Sequence, residues 1–275
     1  MQYSGHNPHN ASQLVTRHIG HSQENRPILL HQTPGFGEKA GGTLLIGGMH
    51  GDERATVLLL LSFLDRRQRR GCVSSPACCL SVIPLANPDG YLHNTRYNSR
   101  GVDLNRNFET GWNPASVEPS GEAPWSEPES RALRDFILHQ RPSKIVTLHW
   151  ALAELDADGP QSAPLARAMW AALSEPERAP YRLRLNALGD VVFPAPDSCP
   201  GSLGQWCGTG LRYPDGSTPA IVTLELPYDP LLGRPAALPD DHLNTLRHHW
   251  KRDARAYLSA AEGPVHKMLE AACRA

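Results

Sequence analysis

Five short apolar runs alternate with stretches whose apolar residues fall three and four positions apart, and this alternation constrains the fold more than any other feature of the chain. Ile28 to His31, Thr43 to Ile46, Cys79 to Leu85, Lys144 to Leu148 and Ala220 to Leu226 are bounded by Gly, Pro or charge, as buried strands are. Arg54 to Arg66, Glu127 to Gln140, Ala163 to Leu173 and Asp241 to Ala261 carry the helical spacing, and Ser126-Glu127-Pro128-Glu129 reads as an N-cap followed by acidic first-turn residues. That order predicts an α/β fold, a three-layer sandwich around a mixed, largely parallel central sheet. With 275 residues, 40% of them apolar, a single domain over 1–275 is expected, its core at about 25–260. The Pro- and Gly-rich loops at 109–125 and 194–218 are long enough to be functional.

Composition excludes several classes of partner. The formal net charge is −1, and Lys and Arg are spread along the chain apart from Arg66-Arg67-Gln68-Arg69-Arg70, so neither nucleic acid nor an anionic membrane is expected as a partner. That basic run suits the C-terminal end of a helix, where cations are favoured. Met1 to His6 lacks a basic n-region and a continuous apolar stretch, and no apolar run approaches the roughly 20 residues that cross a bilayer. The six cysteines show no paired C-x-x-C spacing. A cytoplasmic protein with free thiols is the expectation, although Cys199 and Cys207 could approach one another.

Chemistry is concentrated at the ends of the strands. His50 and Glu53, in Gly47-Gly48-Met49-His50-Gly51-Asp52-Glu53, form an H-x-x-E pair between a strand-like and a helix-like run, which places an imidazole and a carboxylate on one face of a turn. His149 ends the run from Lys144, and Glu225 lies near the end of the run from Ala220. In open α/β sheets, ligands collect beyond the carboxyl ends of strands. Two imidazoles and one carboxylate would leave a tetrahedral zinc with an open fourth position, as a catalytic site needs. Taken alone, the pair is open to a simpler reading: a lone histidine among 13 is more often a surface or hydrogen-bonded residue, and Asp52 with Glu53 could complement a helix N-terminus.

Further segments carry a resemblance. Asn87-Pro88-Asp89-Gly90-Tyr91, Arg96, Gly101-Val102-Asp103-Leu104-Asn105-Arg106-Asn107-Phe108 and Ser126-Glu127-Pro128-Glu129, together with His50, Glu53, His149 and Glu225 in that order, resemble the zinc carboxypeptidase family. The resemblance covers about residues 40–230. It implies that His50, Glu53 and His149 hold one zinc ion, and that Asp103 receives the other imidazole N–H of His50. Asp103 as an ordinary turn residue stays open beside this. Glu225 corresponds to the general base that takes a proton from water and returns it to the leaving amine. Its simpler reading is a strand-end carboxylate satisfied by an arginine. Arg96 resembles the group that steadies an oxyanion, and Asn105 with Arg106 the pair that binds a terminal carboxylate of the substrate. Surface ion pairing is the expected role of Arg100 and Arg131.

Within the family, Pro200-Gly201-Ser202-Leu203-Gly204-Gln205-Trp206-Cys207 followed by Thr223-Leu224-Glu225-Leu226-Pro227 looks like the small bacterial murein peptide amidase branch. This implies a small cell-wall peptide as substrate, cut at the γ-D-glutamyl to meso-diaminopimelate bond, with the loop from Gly201 to Trp206 shaping the pocket. No clear counterpart of the family's active-site tyrosine is evident; Tyr213 and Tyr228 are the candidates. A zinc deacylase of the aspartoacylase and desuccinylase type shares the H-x-x-E and D-x-N-R pattern, and a catalytically silent peptide-binding module is the alternative of another class.

Overall fold

The computed structural model describes residues 14–33, 41–70, 79–150, 152–179, 183–186, 199–226 and 255–275. Its centre is an eight-stranded sheet: β1 (Val15–His21), β2 (Pro27–Gln32), β3 (Thr43–Ile46), β4 (Leu80–Ile83), β5 (Lys144–Trp150), β6 (Glu154–Ala157), β7 (Arg184–Asn186) and β8 (Ala220–Leu226). The order across the sheet is β1-β2-β4-β3-β5-β8-β6-β7. The β4-β3-β5-β8 centre is parallel, as is the β6-β7 pair, while β1-β2, β2-β4 and β6-β8 are antiparallel. The mixed α/β sheet expected from the sequence is therefore present.

Alternation of side chains on the central strands builds two cores. Leu45, Val82, Val146, Leu148, Leu155, Val222 and Leu224 face helix α1 (Arg54–Arg69), helix α4 (Ala163–Ala171) and the C-terminal helix Arg255–Arg274. Leu44, Ile46, Ile83, Ile145 and Ile221 face helix α3 (Pro128–Gln140) and the loop around Leu203 and Trp206. Both layers are built of buried apolar side chains, and each fully buried aliphatic side chain contributes about 1.5–3 kcal/mol. On the second face the pattern changes along the strands. Ile145 gives way to Thr147 and His149, and Ile221 to Thr223 and Glu225, in register across β5 and β8. The apolar floor becomes polar as it nears the carboxyl edge.

Three strands escape the sequence pattern. β1 is a largely exposed edge strand, and a Cβ at Gly20 would stand 2.6 Å from Ala132 Cβ of α3, so its glycine permits the close seating. β6 alternates acid and apolar residues, and β7 is a short edge. The cap of α3 is also displaced by one residue. Glu127 occupies the N-cap without a side-chain capping bond, and Ser126 Oγ donates to Glu127 Oε1 instead. The helix expected at 241–261 lies mostly outside the described residues, but the described part, Arg255–Arg274, continues well past Ala261. Within the basic run, Arg67 is buried rather than solvated and donates to Glu270 of that helix at 2.7 Å. Among the described residues no helix is long and apolar enough to cross a membrane, and Cys79, Cys199 and Cys207 are free thiols. Cys72, Cys78 and Tyr228 lie outside the described residues.

Candidate metal centre

The chain leaves β3 toward β4 and leaves β5 toward the other half of the sheet, so a crevice opens between the carboxyl ends of these two strands. His50 and Glu53 arrive there on the turn after β3, and His149 on β5 itself. Glycine makes the turn possible: a Cβ at Gly51 would lie 1.9 Å from the Gly90 carbonyl carbon, so only hydrogen lets the two backbones touch. Glu53 sits at the N-cap of α1 rather than inside its first turn, and its carboxylate has no capping duty. Thr56 closes the turn by donating from Oγ1 to Glu53 O at 2.7 Å and accepting from Gly48 N at 3.0 Å.

The Asn87-Pro88-Asp89-Gly90 segment is the clamp that holds this turn to Arg96. Asn87, fully buried, caps helix α2 (Pro88–His93) by accepting from Gly90 N at 2.8 Å. Its Nδ2 donates to Met49 O and Arg96 O, both at 3.4 Å. Asp103 completes the arrangement. Its Oδ1 stands 3.1 Å from His50 Nε2 and accepts from Asn105 N at 2.8 Å, while Arg96 Nε donates to Oδ2 at 3.0 Å.

His50, Glu53 and His149 are all buried, and each offers a donor atom within 4.8 Å of the others. His50 Nδ1 lies 2.6 Å from Glu53 Oε1 and 3.3 Å from His149 Nδ1, and Glu53 Oε2 lies 3.2 Å from His149 Nδ1 without forming a well-directed hydrogen bond. Burial by itself would lower the imidazole pKa and raise the carboxylate's. Against that, Glu53 and Asp103 hold His50 up at about 9, and the two histidines hold Glu53 down to about 2. Burial also opposes ionisation of Asp103, yet His50 and Arg96 keep it below the usual carboxylate range.

These residues fit a metal ion. Nitrogen ligands about 2.0–2.1 Å from a tetrahedral zinc stand about 3.3–3.4 Å apart, which is the His50 to His149 spacing found here. Two imidazoles and a carboxylate are an ordinary zinc donor set, and Asp103 fixes which ring nitrogen of His50 faces inward. The buried Glu53 Oε2, lacking a hydrogen-bond partner, is an acceptor left for a cation.

The other expected residues surround this centre. Glu225 is paired across from His149 in the β5-β8 register, partly exposed, with a buried Oε2 that has no partner among the described residues. Burial, and then the Glu53 charge, raise its pKa, while His149 and His50 act the other way. Arg96 lies with Nη1 3.3 Å from His50 Nδ1 and 3.9 Å from Glu53 Oε1. Asn105 Oδ1 accepts from Leu203 N at 3.0 Å, which ties Asn105 to the Gly201 to Trp206 loop, and Arg106 Nη1 donates to Asn105 O at 2.8 Å. That loop is seated by aromatic contacts, with the Trp206 ring 4.9 Å from Trp125 and 5.7 Å from Phe108. Tyr213 is not near the centre. It is buried and donates to Pro142 O at 3.0 Å, just before the start of β5, whereas His149 stands near the other end of that strand. Arg100 pairs with Glu122 at 3.1 Å as a surface residue should, but Arg131 donates to the backbone oxygens of Trp125 and Ser126 instead.

A family model described as zinc carboxypeptidase matches residues 6–151, more than half of the chain. The chain belongs to the zinc carboxypeptidase family. The match encloses His50, Glu53, Arg96, Asp103, Asn105, Arg106 and His149, whereas Glu225 lies beyond its end. Murein peptide amidase A of Escherichia coli (strain K12) is 30% identical over 210 residues, covering 70% of this chain and 76% of that protein. Among solved structures, the murein-tripeptide amidase MpaA of Escherichia coli O157 superposes with a TM-score of 0.58 at 24% identity, covering 94% of this chain and 92% of that one. Carboxypeptidase A of Helicoverpa armigera superposes with a TM-score of 0.62 at 19% identity, over 96% of this chain and 69% of that one. As a zinc carboxypeptidase-family protein this chain is a hydrolase, and its fold is that of the carboxypeptidases.

Sequence reasoning passed over Asp156 and Asp158, which share the face of the sheet that carries Glu225. Their signal was the alternation in Glu154-Leu155-Asp156-Ala157-Asp158, which points acids to one side and apolar residues to the other.

Proposed function

We propose that this zinc carboxypeptidase-family hydrolase cuts an amide bond beside a free carboxylate, with the γ-D-glutamyl to meso-diaminopimelate bond of cell-wall peptides as its substrate. The observation that carries the reading is the cross-strand pairing of His149 with Glu225, which sets a second carboxylate, its Oε2 unpartnered, beside a buried His50, Glu53 and His149 cluster. The 30% identity to murein peptide amidase A supports the choice of substrate, and a role in recycling cell-wall peptides in the cytoplasm goes with it.

His50, Glu53 and His149 would hold one zinc ion, which acidifies water and polarises the scissile carbonyl. Glu225 accepts a proton at its carboxylate from the attacking water and delivers it to the leaving nitrogen. The raised pKa of Glu225 suits both halves of that task, because a carboxyl group that holds a proton less reluctantly can also give it back. Arg96 is oriented by Asp103 at 2.9 Å and remains 31% exposed, so its guanidinium can face the oxygen on which negative charge develops. Asn105 and Arg106, both partly exposed, grip the substrate's terminal carboxylate, and the Leu203 N–H on Asn105 Oδ1 leaves Nδ2 to donate to the ligand.

The test is incubation of the zinc-loaded protein with L-alanyl-γ-D-glutamyl-meso-diaminopimelate. Release of free diaminopimelate is expected. Turnover of N-acyl amino acids with none of the peptide would overturn this assignment in favour of a deacylase, and turnover of neither would favour a silent binding module.

A further inference from the structure

The Pro- and Gly-rich loop at 109–125 folds back on the segment that carries the groups around the metal centre. Pro119 O accepts from Asp103 N at 2.8 Å, Ser120 O accepts from Asn107 Nδ2 at 2.8 Å, and Trp125 N donates to Asn107 O at 2.8 Å. Residues 118–120 therefore run beside residues 103–107, which supply Asp103, Asn105 and Arg106. Val117, just before them, is fully exposed. Glu118 thus stands where the loop turns from solvent onto the rim of the site, with its following peptide tied to Asp103.

Tyr97 meets Glu118 there. Its Oη donates to Glu118 Oε2 at 2.7 Å, and both side chains are partly exposed. The backbone on the tyrosine side is held as firmly as that of the loop. A Cβ at Gly90 would lie 2.5 Å from Tyr97 O, so a bare glycine lets the two chains touch, and Asn87 Nδ2 donates to Arg96 O at 3.4 Å. Both ends of the bond therefore stand on fixed backbone, and only the side chains are free to move. The hydrogen bond to Glu118 raises the Tyr97 pKa above its ordinary 10.0, so the phenol keeps its proton at neutral pH and remains the donor.

The bond matters because of what lies beside it. Arg96 precedes Tyr97 in the chain and is joined to Asp103 at 2.9 Å, and the Asp103 N–H is the group that holds Pro119 O. Two short routes thus connect Arg96 to Glu118. Among the described residues, Arg96 pairs with Asp103 and, at 3.9 Å, with Glu53, while Glu118 forms no ion pair with any Lys or Arg. Burial opposes the Arg96 charge, and Asp103, Glu53 and lastly Glu118 favour it. The guanidinium therefore feels the Glu118 charge without being paired to it. A third carboxylate in direct contact would occupy the exposed part of Arg96 and compete with any oxyanion placed there.

We propose that Tyr97 and Glu118 form a latch, in which the phenol holds the Glu118 carboxylate away from Arg96 and so keeps the guanidinium free for the oxygen on which negative charge develops. Tyr97 is a positioning residue: it acts on Arg96 through Glu118 and touches no reacting atom. The hydrogen bond to a charged acceptor is of the strong kind, and it satisfies a carboxylate that otherwise has an unshielded cation as its nearest attraction. The latch rests on the role given to Arg96 in the proposed function, but concerns two residues which that reading does not use.

Two arms separate the failure of the latch from the failure of that reading. In the first, zinc-loaded wild type, Tyr97→Phe, Glu118→Gln and the double variant are compared on L-alanyl-γ-D-glutamyl-meso-diaminopimelate. Tyr97→Phe frees the carboxylate to reach Arg96, and kcat is expected to fall by about 2- to 5-fold, the effect of a partly exposed ion pair, with KM and zinc content unchanged. Glu118→Gln should not lower kcat, and in the double variant the loss should vanish, because no charge is left to release. A latch that merely folds the loop predicts the opposite: both single variants slow alike, with no rescue in the double. The second arm needs no substrate. Phenylglyoxal labelling of Arg96, followed by peptide mass spectrometry, should be slowed in Tyr97→Phe by a similar factor and restored in the double variant, even if the peptide is not cut by any of the four proteins. Equal labelling of Arg96 in all four, or slowing by Tyr97→Phe that Glu118→Gln does not reverse, would overturn the proposal.

Discussion

The Nδ1 atoms of His50 and His149 stand 3.3 Å apart although the two residues are 99 positions distant in the chain. The parallel pairing of β3 with β5, Ile46 beside Thr147, brings the ends of both strands to one crevice, and the glycine contact between Gly51 and Gly90 turns the chain so that His50 faces across it. Two nitrogens at that separation, with the Glu53 carboxylate beside both, form a cluster that could hold a metal ion.

Loss of one ligand should empty the cradle. Zinc added to the metal-free wild type is expected to raise Tm, since a ligand at about 100 times its Kd stabilises the native state by about 2.7 kcal/mol. His149→Ala should abolish that rise. Differential scanning fluorimetry with and without zinc reads both outcomes, and a persistent shift in the variant would place the metal elsewhere.

The metal-free centre should titrate with a definite sign. His50 is raised from 6.5 to about 9, so its stabilising contacts with Glu53 and Asp103 are fully present below about pH 6.5 and are lost as pH rises through about 9. Glu53 is lowered from 4.5 to about 2, so its contribution is present above about pH 4.5 and is lost as pH falls toward 2. Urea unfolding of the metal-free protein should therefore show a fall on the order of 2 kcal/mol between pH 6.5 and 9, which His50→Gln flattens. Zinc affinity should move the opposite way, rising over the same interval, because the ion needs the imidazole without its proton.

Asp103 acts on the centre through His50. Asp103→Asn keeps the shape but removes the charge that holds the His50 Nε2 proton, and a 10- to 100-fold loss of zinc affinity is expected, about the usual effect of such a partner. Competition with a metallochromic chelator measures it. Affinity equal to wild type would assign Asp103 a purely local role in the turn it caps.

Glu225→Gln separates chemistry from metal binding. Zinc content and Tm should stay close to wild type, while kcat falls by about 100- to 10,000-fold, the range ascribed to a general acid-base group. Rate and metal lost together would make Glu225 part of the cradle rather than the proton-transferring group.

Much of this arrangement was legible in the linear chain. The five expected strands are all present: β4, β3, β5 and β8 are parallel and largely buried, so runs such as Leu44 to Ile46 and Ile145 to Leu148 are mostly apolar, while β2 is antiparallel and alternates in burial. The strands that were missed have weaker reasons to be apolar. Among the described residues β1 and β7 are the outermost strands, and β6 sets its acids on the face that carries Glu225. His50, Glu53 and His149 could be named from motif order, but their mutual distances depend on the β3-β5 register, a tertiary fact that no local pattern contains. Asp156 and Asp158 were passed over for the same reason, since an E-L-D-A-D alternation reads as an ordinary edge strand until β8 sets Glu225 beside it.

Metal analysis joined to anomalous scattering tests the central claim most directly. One zinc per chain is expected, with an anomalous peak between His50 Nδ1, Glu53 and His149 Nδ1 that disappears in His149→Ala. A zinc-supplemented protein that binds no ion, or a peak bound elsewhere with these three side chains unengaged, would contradict it.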